Sequence, residues 1–375
     1  MSHTLLGIDR SAQADLIGVE RAISEMRAGR AIALMAGDNP LLCVSVEALD
    51  EALCQQLDLY ASQKARLLIP AARLRRLGFM TEEAGAVALP DMNLKRITTL
   101  ALEQNARLDA PVAPLQKNDH EALVLASLAF VLPAVIVMPI TSEQCQTLNL
   151  VMVGGADVIA YRAHQMVSMR IMARAPVPLE GAGESEFVIF RGGEGMRDQV
   201  AIIIGRPDLS KPVVVRLHSA CLTGDLFGSL KCDCGDQLRH TARYMAENGG
   251  GILLYLDQEG RGNGLANKIR AYRLQAQGFD TYDADEVLGF DHDQRRFTFA
   301  AHMLTQLGVT HVRVMTNNPL KIKALQDAGL RVVADERIWG RANDHNIHYL
   351  ASKRDRAGHM IDINEVPVYG GSTDK

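Results

Sequence analysis

Three of the chain's six cysteines, Cys221, Cys232 and Cys234, fall in one stretch, Arg216–Gln237, which reads RLHSACLTGDLFGSLKCDCGDQ. Thiolates are soft ligands that suit a tetrahedral zinc ion. A Cys-x-Cys pair lets one tight loop offer two sulfurs to the same ion, and the third arrives from upstream. Three protein ligands leave the fourth position open. That is the arrangement of a catalytic rather than a structural zinc, at which a water's pKa falls towards neutrality. A disulfide between Cys232 and Cys234 is disfavoured, because residues so close do not easily reach disulfide geometry. Two other readings stay open. The three cysteines can simply be buried apolar side chains. His218 can be a fourth ligand, against the commoner role of a histidine that hydrogen-bonds beside a site.

Three further stretches carry chemistry. Gln258–Gly264 (QEGRGNG) has glycines that let backbone N–H groups approach a phosphate at a helix start, with Arg261 adding a charge-assisted bond; an ordinary flexible turn is the alternative. Glu259 is a carboxylate able to accept from both N1–H and the 2-amino group of guanine, which adenine cannot offer. In Gly289–Arg296, Asp293 and Arg295 stand two apart before a helix, where a solvated N-terminus is the alternative. In Thr316–Lys323 (TNNPLKIK), Thr316 and Lys321 can hold phosphate oxygens, against an ordinary Asn/Pro cap with solvent-facing lysines. Arg216 is another anion candidate.

The elements that must position these residues alternate. Residues 18–29 read as a short amphipathic helix ending at Gly29, followed by a strand over Ala31–Met35 and a turn at Gly37–Pro40. The spacing predicts a helix over Val44–Leu59, a strand over Arg66–Ile69, a helix over Leu123–Val131 and a strand over Val135–Val137. Arg174–Glu184, rich in proline and glycine, reads as a linker or domain junction. Strands are predicted at Phe187–Phe190, Val200–Ile204, Val213–Leu217, Ile252–Leu256, Val312–Met315 and around Val332. Helices are predicted through Leu238–Met245, Leu265–Ala276, Phe297–Leu304 and from Pro319 to Gly329. The expected class is α/β with two domains: an N-terminal α/β (α+β) domain, and a C-terminal mixed or parallel sheet covered by helices with its zinc site at loop ends. The boundary is expected at residues 1–172 and 173–375.

Composition narrows the classes. A chain of 375 residues with 47% hydrophobic content can build two cores. A net charge of −4 and 5% aromatic content disfavour a nucleic-acid surface. The cysteines lack disulfide-like spacing and the N-terminus lacks an apolar signal core, so a cytoplasmic location is expected. Ala122–Ile140 is long and apolar, but Ser127, Pro133 and its β-branched second half fit a buried helix, a turn and an interior strand better than a membrane span.

Together, R-x-H-S-x-C-L-T-G-D, S-L-K-C-D-C-G-x-Q-L, Q-E-G-R-x-x-G-L-x-N-K-I-R-A-Y, L-G-F-x-x-D-x-R and T-N-N-P-x-K resemble the GTP cyclohydrolase II family of riboflavin biosynthesis, over about Arg174 to Met360. The resemblance implies one zinc per subunit on Cys221, Cys232 and Cys234. It implies Asp293 as general base, Arg295 as nucleophile towards the α-phosphate, and Tyr272 at the active-site tyrosine position. Arg216, Leu217, His218, Ser219, Ala220, Gln237, Glu259, Gly260, Arg261, Thr281, Thr316 and Lys321 would bind GTP, with magnesium on the triphosphate. The implied reaction releases pyrophosphate, opens the imidazole ring at C8 and loses that carbon as formate. A homodimer is expected. Ala220, Asp257 and Asn263 stand where the family usually has Glu, Arg and Ile. The N-terminal half resembles a 3,4-dihydroxy-2-butanone 4-phosphate synthase scaffold, through Val19–Met35 and Glu121–Met138. Ala36–Pro40 and Asn118–Glu121 replace its acidic loop and its Gly-His-Thr-Glu, which implies a degenerate domain. A non-catalytic guanine-nucleotide-binding regulator and a zinc hydrolase of another nucleotide are the competing readings.

Overall fold

Segments apolar on both faces become interior strands in this chain, and segments with one apolar stripe cover them. The computed structural model describes residues 10–35, 40–61, 64–192, 198–291, 295–347, 351, 354–356 and 358–361. Among these, the strands form two seven-stranded mixed sheets with helices, the α/β architecture expected. Two compact units contain them: Met1–Tyr161 with Asn263–Phe279 and Asp283–Asp293, and Arg162–Gly262 with Asp280–Tyr282 and Gln294–Lys375. No helix among the described residues is long and apolar enough to cross a membrane.

The first unit contains β1 (Ile32–Met35), β2 (Leu41–Ser45), β3 (Ala65–Ile69), β4 (Gly85–Leu89), β5 (Val112–Pro114), β6 (Val135–Pro139) and β7 (Val151–Gly154). Their order is β5-β4-β3-β6-β2-β1-β7. Only β1 and β7 run parallel; the other pairs are antiparallel. Ala122–Ile140 divides as expected into the end of the helix Asp119–Leu128, a turn, and β6, buried at Val135–Met138. Two expectations need correction. The first helix runs Arg10–Arg27, well upstream of residue 18, and Gly29 closes it at φ 78°. Val44–Leu59 is not one helix: it holds the end of β2, a 3-10 turn Val46–Ala48, and most of the helix Glu51–Ala61. Val44 pairs with Ile136 in the sheet, and the helix starts where Asp50 Oδ1 accepts Leu53 N at 2.7 Å. The turn expected at residues 37–40 lies outside the described residues, apart from Pro40.

The second unit contains β8 (Arg170–Pro176), β9 (Ser185–Arg191), β10 (Gln199–Ile204), β11 (Val213–Ser219), β12 (Gly251–Leu256), β13 (His311–Met315) and β14 (Arg331–Glu336), ordered β14-β13-β11-β12-β10-β9-β8. Arg174–Glu184 is therefore not a linker: its start belongs to β8, and Val177 N donates to Ser185 O at 2.9 Å where the chain turns back into β9. The four strands β12, β11, β13 and β14 are parallel, and β8–β10 attach antiparallel. On one face of β11, Val213, Val215 and Leu217 pack with Phe299, Met303 and Leu304 of the helix Thr298–Gln306. On the other, Val214 joins Ala242 and Met245 of the helix Cys234–Glu247. Each fully buried Leu or Val here contributes about 1.5–3 kcal/mol. By strand alternation Arg216 and His218 continue the face of Val214, so a polar site begins where that apolar layer ends.

One ion pair fixes the first unit internally. Asp119, fully buried, meets Arg66 Nη1 at 2.5 Å and Nη2 at 3.0 Å, and accepts Gln116 N at 2.7 Å. This carboxylate lies in the stretch Asn118–Glu121, and the ion pair occupies it. Removing the cation leaves a buried charge without compensation, so Arg66→Met is expected to destabilise the protein by about 3–5 kcal/mol. Urea unfolding followed by circular dichroism checks it; a loss below about 1 kcal/mol would show the pair to be dispensable.

Candidate metal centre and anion cavity

The three sulfurs converge. β11 delivers Cys221, the short helix Leu222–Asp225 follows, and Cys232 and Cys234 flank the start of the helix Cys234–Glu247. Their ligand atoms lie within 4.8 Å of one another, with Cys221 Sγ 3.6 Å from Cys232 Sγ. Zinc–sulfur bonds of ~2.3 Å at a tetrahedral angle place sulfurs ~3.8 Å apart, so the spacing fits a zinc ion. The donor chemistry agrees. Hydrogen bonding with Cys221 pushes the Cys232 thiol up to about 11, and the two other thiols push Cys234 well above its ordinary value. Thiols crowded in this way ionise together only when a cation compensates them. Gly224 permits the crowding: a Cβ there would meet Cys232 Sγ at 2.7 Å and Cys221 Sγ at 3.0 Å.

His218 is placed by other bonds. Its Nε2 lies 3.1 Å from both oxygens of Asp225, and its ring stacks on Tyr255 with centroids 5.6 Å apart. Among the described residues only the three cysteines form a metal-binding group. His218 is thus a hydrogen-bonding residue here, and burial lowers its pKa and favours the neutral ring. Asp225 accepts from Cys221 N at 2.9 Å and from Tyr255 OH at 3.0 Å as well.

Beside the sulfurs lies a cavity lined by Cys234 and by four cations, Arg216, Arg261, Arg295 and Lys321. No carboxylate lines it among the described residues. It forms at the carboxyl ends of β11, β12 and β13, the neighbouring parallel strands, where open α/β sheets generally bind ligands. Arg216 donates to Met315 O at 3.2 Å and Gln237 Oε1 at 2.5 Å, while its Nε is buried with no hydrogen-bond partner. Burial pushes its pKa down to about 10, which leaves it charged at neutral pH. Lys321 donates to Leu217 O at 2.6 Å, and both Lys321 and Arg295 lie over the Phe297 ring. Arg261 adopts φ 59°, unusual for a side-chain-bearing residue, in a loop where Gly260 and Gly262 are also left-handed. It donates to Thr281 O at 3.2 Å and stacks 4.5 Å over Tyr282. The cavity's volume is about 90 Å³, room for a phosphate group rather than a whole nucleoside triphosphate.

The structure brings Arg216, His218, Ser219, Gln237, Arg261, Thr281, Arg295, Thr316 and Lys321 to this one cavity. Leu217 contributes through its carbonyl only, its side chain being in the core. Glu259 does not line the cavity. It is buried, with Oε2 accepting Leu222 N at 2.6 Å and Oε1 accepting Gly260 N at 3.1 Å. Gly260 and Ala220 are not lining residues either, and Ala220 N donates to Leu256 O at 2.7 Å. Tyr272 lies on the helix Leu265–Gln275 of the first unit, with Lys268 over its ring. Asp293 lies outside the described residues. The sequence reading missed Asp225, Tyr255, Asn317, Asn318, Phe297 and His359. Asp225, Asn317 and Asn318 had a signal, each standing inside a quoted motif.

Fold and site define an α/β protein with a three-cysteine cluster able to hold a metal ion beside a cationic cavity. The GTP cyclohydrolase II family pattern matches residues 170–337. The chain is 43% identical over 357 residues to the GTP cyclohydrolase-2 of Xylella fastidiosa, covering 93% of this chain and 88% of that one. It is 41% identical to that of Azospirillum brasilense over 370 residues, covering 93% and 95%. A riboflavin biosynthesis protein RibBA of Cytophaga hutchinsonii is 39% identical over 258 residues, 65% of this chain and 63% of that one. Among solved structures, a two-domain 3,4-dihydroxy-2-butanone 4-phosphate synthase from A. baumannii aligns at a TM-score of 0.33 and 17% identity, covering 85% and 98%. The chain belongs to the GTP cyclohydrolase II family and is an enzyme of that family.

Gly224 supplies the sharpest test of the metal centre. Alanine favours a helix over glycine by about 1 kcal/mol, so helix propensity alone makes Gly224→Ala neutral or stabilising. The sulfur contacts reverse that expectation: after incubation with zinc and removal of the excess, the variant should retain only a small fraction of the metal that the parent protein retains, read by elemental analysis. A full complement of metal in the variant would contradict the placement of the sulfurs.

Proposed function

We propose that the enzyme hydrolyses GTP to 2,5-diamino-6-ribosylamino-4(3H)-pyrimidinone 5′-phosphate, formate and pyrophosphate, the first step of riboflavin biosynthesis. The observation that carries this reading is the pairing of a three-sulfur cluster with a cavity holding four cations and no described acid. The names of the relatives supply the nucleotide and the pathway.

Within this reading the cavity takes a phosphate group. Arg216 offers its unpartnered Nε, and Arg261, Arg295 and Lys321 balance the remaining charge. Arg295 is assigned attack on the α-phosphate, which releases pyrophosphate and anchors the nucleotide beside Cys234. Asp293 is assigned as the base, and Tyr272 as a further catalytic residue. The side chain of Glu259 fixes the backbone at Leu222, so its contribution to guanine selection requires it to exchange or share those bonds. Zinc, when held by Cys221, Cys232 and Cys234, supplies a Lewis acid that makes water nucleophilic near neutral pH. Magnesium is carried on the triphosphate's own oxygens, since the lining offers no carboxylate for a hard cation among the described residues. The first unit is assigned a structural or regulatory role as a degenerate butanone-phosphate synthase scaffold.

Incubating zinc-loaded protein with GTP and magnesium should release formate and pyrophosphate in equal amounts, and Cys232→Ser should abolish formate release. Tight GTP binding with no formate would replace this reading with that of a nucleotide-binding regulator. Lys321→Met removes one buried charged donor, worth about 1.5–3 kcal/mol, so kcat/KM should fall roughly 10- to 150-fold. Ribulose 5-phosphate should yield no butanone phosphate; its formation would overturn the assignment of the first unit.

A further inference from the structure

The helix Cys234–Glu247 serves two concavities of the second unit. Cys234 and Gln237 line the cationic cavity. Asp236, Arg239 and Arg243 line a separate cleft, with Arg337, Trp339 and Arg341 from the segment after β14. This cleft has a volume of about 490 Å³, within the ~300–1,000 Å³ of small-molecule sites. Single exposed arginines are ordinary surface residues. Here four converge from two chain segments on one concave surface, with Asp236 the only carboxylate of the lining among the described residues. Asp236 accepts from Arg239 Nη2 at 3.2 Å and from Arg341 Nε and Nη2 at 3.1 and 2.9 Å. Arg243 packs its stem over Gly181, where a Cβ would meet its Cγ at 2.6 Å. Trp339 is the only tryptophan of the chain. Guanidinium forks match phosphate oxygens, and an indole or guanidinium plane stacks on a flat ring.

The cleft is tied to the first cavity by short bonds. Arg337 Nη1 donates to Thr316 O at 3.0 Å. Asn317 Nδ2 donates to Ile338 O at 2.6 Å, and Ile338 N donates to Asn317 Oδ1 at 3.1 Å. Thr316 and Asn317 both line the first cavity. Gly340 lies so close to Asp233, between two of the cysteines, that a Cβ would meet Asp233 O at 2.8 Å. A ligand that draws Arg341 from Asp236 therefore pulls on a segment bonded to the first cavity and packed on the cysteine loop.

We propose that this cleft is a second, regulatory site for a phosphorylated planar heteroaromatic compound of the nucleoside-diphosphate type, coupled to the first cavity through Arg337–Arg341. The binding stands on the cleft itself, and the coupling rests on the function proposed above. The test titrates full-length, zinc-loaded protein with ADP while exciting Trp339. ADP should quench Trp339 saturably. Arg243→Gln, with unchanged circular dichroism and zinc content, should weaken ADP by roughly tenfold or more, and inorganic pyrophosphate should bind the parent protein roughly tenfold more weakly than ADP. Lys321→Met should leave ADP affinity within about twofold, as a site apart from the first cavity requires. Absence of saturable quenching, equal affinity in Arg243→Gln, equal affinity for pyrophosphate, or loss of quenching in Lys321→Met would each overturn the site. Saturating ADP should shift KM for GTP in the parent and not in Arg243→Gln, and an unshifted parent KM would overturn the coupling. Absence of GTP hydrolysis would instead sink the proposed function, while the Trp339 titration would still decide the second site.

Discussion

The catalytic half of this chain depends on one buried carboxylate. Asp225 accepts hydrogen bonds from His218, Tyr255 and the backbone of Cys221. His218 and Tyr255 are register partners on the parallel strands β11 and β12, and their rings stack because that register sets them side by side. Burying a carboxylate costs several kcal/mol unless donors replace its water, and three donors do so here. The consequence is positional. The first sulfur is fixed to the two central strands of the sheet through a residue that binds no metal itself, which is how outlying hydrogen bonds orient metal ligands in general.

Charge in the adjoining cavity works in the opposite sense. Arg216, Arg261, Arg295 and Lys321 line a space of about 90 Å³ without a described carboxylate, so they repel one another. Phe297 offsets some of this by presenting its ring to two of them. Lys321 and Arg216 also donate to carbonyls at the ends of β11 and β13. The sheet thus holds cations where their mutual repulsion favours an anion, and any anion bound there stabilises the native fold by mass action.

Much of this was legible in the residues. The strand Gly251–Leu256 is an apolar run opened by glycine, and Val213–Val215 begins β11 in the same way before Arg216; interior parallel strands need that pattern. The cysteines were legible because few other roles explain a Cys-x-Cys with a third cysteine a short way upstream. Val44–Leu59 was misread because Val44, Leu49, Leu53 and Leu57 imitate a helical stripe, whereas pairing of Leu41–Ser45 with Val135–Pro139 is a long-range fact that no local window contains. Tyr255 was read only as a strand residue, since its partner Asp225 lies 30 positions away. Glu259 shows the converse. Its residue type suggested base recognition, yet its surroundings direct both oxygens to backbone N–H groups.

The departure at Ala220 follows from the same geometry. That position sits between the end of β11 and Cys221, and the bond it makes to Leu256 runs through its backbone N–H. Any residue but proline can make that bond. Exchanging a longer acidic side chain for a methyl group therefore leaves the β11–β12 pairing and the path to the first sulfur intact. What changes is the local charge. With alanine there, Asp225 and Glu259 are the carboxylates bonded to the backbone of Cys221 and Leu222, and both are occupied by those bonds. The cluster is held by carboxylates that position the chain, and the cavity beside it keeps its net positive charge.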